Sequence, residues 1–206
     1  MLWVRVPPDL QNMENKAIII HGWDGYPEEG WFPWLRQELE NSGWLVQVPT
    51  MPNSEEPKID TWVSKLAEIV GNPDEQTYLI GHSMGCQAIL RYLSELSGKK
   101  VGGIVLVAGF LKLRPLETEE EEDILRPWIE TPIDFSKVRE AANNIALVFS
   151  DNDPWVPMEE NIKLFKQNLG QETKIVKEHK RGHLSGNDGV VELPAVLEVI
   201  TEYLKD

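Results

Sequence analysis

A single cysteine among 206 residues, Cys86, leaves the chain unable to form an internal disulfide. That is expected of a protein kept in a reducing compartment. No apolar run approaches the roughly 20 residues that span a bilayer, and the opening MLWVRVPPDLQ lacks the apolar stretch of a signal peptide. A cytoplasmic location is therefore the expectation. Positive charge is scarce: 20 Lys and Arg stand against 34 Asp and Glu, for a net charge of −14. Such a surface repels phosphate backbones and anionic membranes, so neither nucleic acid nor membrane is expected as a partner. Histidine is sparse as well, with four residues, and no pair of His or Cys ligands falls at zinc-site spacing. No metal and no cofactor is called for. Internal repeats and low-complexity segments are also missing.

What the chain does have is alternation. Short β-branched apolar runs (Ala17–Ile20, Leu45–Val48, Thr77–Ile80, Gly103–Val107, Ile145–Phe149, Thr173–Val176) are separated by amphipathic stretches (Glu28–Asn41, Ile59–Val70, Met84–Leu96, Glu159–Leu169, Val190–Leu204). Apolar runs without polar alternation suit strands covered on both faces. Strand–helix alternation predicts an α/β fold, a mainly parallel sheet of about six strands with helices on both faces. Residues 1–15, with Pro7-Pro8, are expected to be a loose extension, with Met13 as an alternative start; 16–206 are expected to form one domain. Residues 111–143, rich in Pro and Glu, are the longest interruption and a candidate cap over a site. The acidic cluster Glu117–Asp123 within it is expected to be a solvated loop or helix face.

The strongest chemical signal is Gly81-His82-Ser83-Met84-Gly85, between a strand run and a helical run. G-x-S-x-G in that setting describes a nucleophile elbow: the serine sits on a sharp turn, and the glycines allow the close packing the turn demands. A hydroxyl is a weak nucleophile unless a base takes its proton. The base should follow the last strand, where Arg181-Gly182-His183 lies; His179 is the rival. The acid should follow the penultimate strand, in Ser150-Asp151-Asn152-Asp153-Pro154-Trp155-Val156-Pro157. Asp153 is favoured over Asp151 because prolines 154 and 157 stiffen the loop that aims it. Ser83, Asp153 and His183 thus stand in the order serine–acid–histidine. The peptide N–H groups of Met84 and of Trp23, in His21-Gly22-Trp23-Asp24-Gly25, are the expected oxyanion donors. Trp155 and Trp128 are the expected substrate-binding residues, lining an apolar pocket.

With HGWDG (His21–Gly25), WFPWL (Trp31–Leu35), GHSMG (Gly81–Gly85), SDNDPWVP (Ser150–Pro157) and Gly182-His183 in sequence, the chain resembles the small α/β-hydrolases of the retinoblastoma-binding serine hydrolase and YdeN-like type, from Ala17 to the C-terminus. The resemblance implies an α/β-hydrolase fold that lacks the first two strands of larger relatives, with strand order 2-1-3-4-5-6 and no large lid. It also implies the catalytic roles of Ser83, Asp153 and His183. No L-x-C-x-E segment occurs, so retinoblastoma-protein binding does not carry over, and any protein partner is unknown. The expected function is a serine hydrolase that cleaves an ester, thioester or amide of a small, apolar substrate through an acyl-enzyme. The alternatives are a non-catalytic protein-binding module on the same fold, or an acyltransferase, lyase or perhydrolase using the same triad.

Overall fold

The structure, a computed structural model, describes residues 15–203. The apolar runs lie in one six-stranded sheet, whose inner strands are covered on both faces and whose two edge strands stay partly exposed. Its strands are β1 (Lys16–Ile20), β2 (Leu45–Gln47), β3 (Thr77–His82), β4 (Val101–Val107), β5 (Ala142–Ser150) and β6 (Lys174–Glu178). They lie in the order β2-β1-β3-β4-β5-β6, and every neighbouring pair is parallel. The expected strand order is the observed one. The expectation for residues 1–15 falls outside the described residues except at Asn15, whose carbonyl accepts from the Leu45 N–H at 2.9 Å.

Helices α1 (Phe32–Asn41), α2 (Ile59–Val70), α3 (Met84–Glu95), α4 (Glu119–Glu130), α5 (Phe135–Ala141), α6 (Met158–Leu169) and α7 (Pro194–Glu198) cover the sheet, and a π turn over Val199–Tyr203 follows α7. Successive strand residues point to opposite faces, so β1 divides its side chains between two cores. Ile18 and Ile20 pack with α2 to α6, while Ala17 and Ile19 pack with α1 and α7. None of the described helices is long and apolar enough to cross a membrane.

Three expected elements are corrected. The helix expected from Glu28 begins at Phe32, with Pro33 in its first turn, a position proline tolerates. The long helix expected over 190–204 is a five-residue α7 that starts at Pro194, because the residue before a proline is driven out of the helical region. Residues 111–143, expected to be the longest interruption between elements, hold two helices. The first opens on a capping box: Thr118 Oγ1 accepts from the Glu121 N–H at 3.2 Å, and the Glu121 carboxylate accepts from the Thr118 N–H at 3.0 Å. Glu119 to Glu122 fill its first turn, where negative charge complements the helix dipole. The acidic cluster is thus the exposed start of α4.

The chain winds outward in opposite directions from β1 and β3, so the loops at their carboxyl ends flank the point where the winding reverses. Open α/β sheets bind ligands at such points.

Candidate active site

Ser83 joins β3 to α3 with φ 50° and ψ −114°, a backbone conformation that a side-chain-bearing residue adopts only under constraint. Two glycines make the turn possible. A Cβ on Gly85 would stand 2.3 Å from the Ile20 carbonyl oxygen, and one on Gly81 would stand 2.7 Å from the Cys86 nitrogen. The first turn of α3 is therefore pressed against the exit of β1. The Ser83 N–H is tied to the Val107 carbonyl at 2.9 Å. Cys86 is core: its thiol, pushed up by burial, donates to the Gly81 carbonyl at 3.2 Å.

The acid loop leaves β5 and closes on itself around Asp153. One carboxylate oxygen accepts from the Trp155 and Val156 N–H groups, both at 2.9 Å. The other lies 2.8 Å from His183 Nδ1. Arg114 reinforces the loop, its guanidinium donating to the Asp153 carbonyl at 3.0 Å. The rival residues also pair: His179 Nδ1 meets Asp151 Oδ2 at 2.5 Å. Exposure separates the two couples. The side chains of His183 and Asp153 are 9% and 2% exposed, those of His179 and Asp151 75% and 35%. The inner couple borders the Ser83 cavity, and the outer one ties the end of β6 to the acid loop.

Ser83 and His183 line one cleft of about 510 Å³, yet no hydrogen bond joins their side chains among the described residues. Such contacts often tighten only once substrate is bound. Trp23 and Met84 line the same cleft. The Asp24 N–H is committed to Ser54 O at 2.7 Å and the Gly25 N–H to Gly22 O at 3.2 Å. The Trp23 N–H, like that of Met84 in the first turn of α3, has no acceptor among the described residues. Trp155 lines the cleft as expected, its ring edge-on to His183 at 4.8 Å between centroids. Trp128 does not line it. It is 1% exposed, donates from its indole to the Pro57 carbonyl at 3.0 Å and packs against Trp62. A large apolar ring with one polar atom is most stable where both needs are met. Trp128 meets them as the anchor of α4, not in the cleft.

Several residues that hold this arrangement were not singled out by the sequence reading. His82 is buried; burial, then the neighbouring His183, lowers its pKa to about 3. Its Nε2 lies 2.9 Å from the His183 carbonyl, so the proton sits on Nε2 and the ring pins the histidine loop. Trp31 donates to the Leu184 carbonyl at 2.9 Å, and Asp188 accepts from the His183 N–H at 2.9 Å. His21, whose pKa burial lowers, accepts from the Met51 N–H at 2.9 Å and turns Nδ1 to the Gly22 carbonyl at 2.8 Å. It thereby fixes the loop that carries Trp23. Nothing in the sequence marked these contacts, since a buried histidine leaves no distinctive local pattern.

Comparison with known proteins gives the family. The profile of the family described as Serine hydrolase matches residues 17–202. The hydrolase YdeN of Bacillus subtilis is 33% identical over 194 residues, covering 93% of this chain and 97% of its own. Serine hydrolase RBBP9 of Rattus norvegicus is 25% identical over 177 residues, 84% of this chain and 89% of its own. The crystal structure of the B. subtilis ydeN product superposes with a TM-score of 0.83 at 31% identity, covering 93% of this chain and all of that one (100%).

Proposed function

The chain belongs to the serine hydrolase family, and from that premise we propose that it hydrolyses an ester, thioester or amide of a small, largely apolar substrate through Ser83, His183 and Asp153. One observation carries the assignment of residues: the buried 2.8 Å contact between Asp153 and His183 beside a serine held at positive φ.

The chemistry follows from what each group can do. With Nδ1–H donated to Asp153, the other ring nitrogen, Nε2, is free to accept a proton. Ser83 Oγ attacks the substrate carbonyl, forming the O–C bond as its proton passes to His183. The N–H groups of Trp23 and Met84 receive the negative oxygen. Collapse of the tetrahedral species breaks the bond to the leaving group, which takes the proton from His183. A water molecule then repeats the sequence in reverse, releasing the acid and restoring Ser83–OH. The Asp153 carboxylate stabilises the imidazolium in both halves and keeps the ring in the productive tautomer.

The apolar part of the cleft, from Met84, Phe110, Leu113, Leu116, Leu125 and Trp155, supports an apolar acyl or alcohol group. The cleft's volume of about 510 Å³ falls within the usual range for small-molecule sites. The test is labelling by a fluorophosphonate probe. Wild-type protein should be labelled and Ser83→Ala should not, with unchanged folding. Failure to label well-folded wild-type protein would overturn the reading in favour of a binding module. Labelling accompanied by acyl transfer to an added alcohol in preference to water would replace hydrolase with acyltransferase.

A further inference from the structure

The charged residues around the cleft are all of one sign. Asp24, Glu29, Glu55, Glu117 and Glu121 line it, and no Lys or Arg does. None of the five is ion-paired with a Lys or Arg among the described residues, although other surface acids are, such as Glu40 with Arg36 and Glu160 with Lys112. Glu121 is held by its capping box, and Glu29 by its approach to the Tyr26 and Gly186 N–H groups, with His183 nearby. Burial raises the Glu29 pKa, against the lowering by the Tyr26 N–H and His183. No group of three or more His, Cys, Asp or Glu among the described residues could hold a metal ion, so these acids surround the space rather than converge on a point. A further observation agrees with a site short of positive charge. His82, 4% exposed, also lines the cleft, and its Nδ1 has no partner. Since Nε2–H is committed to the His183 carbonyl and burial keeps the ring neutral, Nδ1 is unprotonated and His82 adds no positive charge to the cleft wall.

We propose that the substrate carries an ammonium group as well as an apolar body, and that the cleft discriminates against carboxylate-bearing esters. This rests on the hydrolase reading above. The apolar part of the cleft takes the hydrocarbon, and the ring of unpaired carboxylates takes the cation. Each carboxylate lies in a partly solvated position, so single contacts are weak and the effect is the summed field of five.

The test uses the butyrate esters of choline, of 3,3-dimethylbutanol, its uncharged isostere, and of 3-hydroxypropanoic acid, with hydrolysis followed by proton release. At low ionic strength kcat/KM should be about tenfold higher for the choline ester than for the isostere, and lowest for the carboxylate ester. The preference should shrink to about twofold near 1 M NaCl, where the Debye length is about 3 Å. In the E55Q/E117Q double variant, at two exposed positions, the choline-to-isostere ratio should fall severalfold. A ratio near one at low salt, a ratio that salt does not change, or an unaltered ratio in the double variant overturns the inference. Hydrolysis of none of the three esters by protein that a fluorophosphonate does label overturns the cationic substrate class and leaves the hydrolase intact. Failure of both labelling and hydrolysis overturns the two readings together.

Discussion

Replacing Asp153 with asparagine tests the site most sharply, because the chain carries a built-in control in Asp151. In the native site one Asp153 oxygen takes the Trp155 and Val156 N–H groups and the other faces His183 Nδ1 at 2.8 Å. Asparagine is nearly isosteric. Its oxygen must stay with the two N–H groups, which places its NH₂ toward His183 Nδ1. That nitrogen can then only accept, so the ring proton moves to Nε2 and His183 no longer takes a proton from Ser83. A wrong tautomer of this kind costs a factor of about 10⁴ in kcat, or about 5.5 kcal/mol in the barrier. Stability should change by only about 1 kcal/mol, since the loop's hydrogen bonds survive. Asp151→Asn perturbs the exposed couple with His179 and should leave turnover essentially unchanged. The assay is kcat/KM on a short-chain aryl ester, alongside thermal unfolding of both variants. If Asp153→Asn keeps activity within tenfold of wild type, or if Asp151→Asn is the more damaged, the acid has been misassigned.

The pH dependence of stability should carry the mark of His82. Its folded pKa of about 3 lies below the ordinary 6.5, so between those values the unfolded chain binds the extra proton, and stability falls as pH drops through that window. The full effect is on the order of 5 kcal/mol. Unfolding temperatures measured from pH 7 to pH 4 should decline less steeply in His82→Gln than in wild type, and equal slopes would count against this account. Gly85→Ala places a methyl group 2.3 Å from the Ile20 carbonyl oxygen and should destabilise by about 3 kcal/mol or more, which calorimetry would register. Trp155→Ala should raise KM with little change in unfolding temperature. Trp128→Phe, which removes the bond to Pro57, should do the reverse at a cost of about 1 kcal/mol; the opposite pattern would move Trp128 back into the cleft.

The mainly parallel sheet and the positions of α2, α3 and α6 follow from two features visible in one dimension, apolar runs too continuous for a half-exposed sheet and helical periodicity between them, whereas the strand order came with the family resemblance. The pairing of Asp153 with His183 was legible because chain order and two prolines narrowed the choice. Trp128 was not, because an indole ring reads the same in a sequence whether it faces a cleft or a helix interface. The α4 cap was missed although Thr118 and Glu121 stand at capping-box spacing; Pro127, inside the helix, disguised it. Loop contacts such as His82 to His183, 101 positions apart, have no local signature at all. They exist only after the sheet has brought the ends of β3 and β6 into register.

The distribution of backbone strain shows what that register is used for. Among the described residues, six non-glycine positions adopt positive φ: Asp24, Asn53, Ser83, Ala108, Lys180 and Leu184. Every one lies beyond the carboxyl end of a strand, in the loops after β1, β2, β3, β4 and β6. Such conformations cost on the order of 1–3 kcal/mol each and persist only where the surroundings over-determine them. At Leu184 the surroundings are explicit. The side chain is wholly buried, its carbonyl is taken by Trp31, and the preceding His183 is held at its carbonyl by His82 and at its N–H by Asp188. At Ser83 the closeness of Gly85 to β1 plays the same part. Rigid strands thus bear the strain of the loops above them, and Ser83 and His183, the proposed nucleophile and base, are presented from separate strained turns.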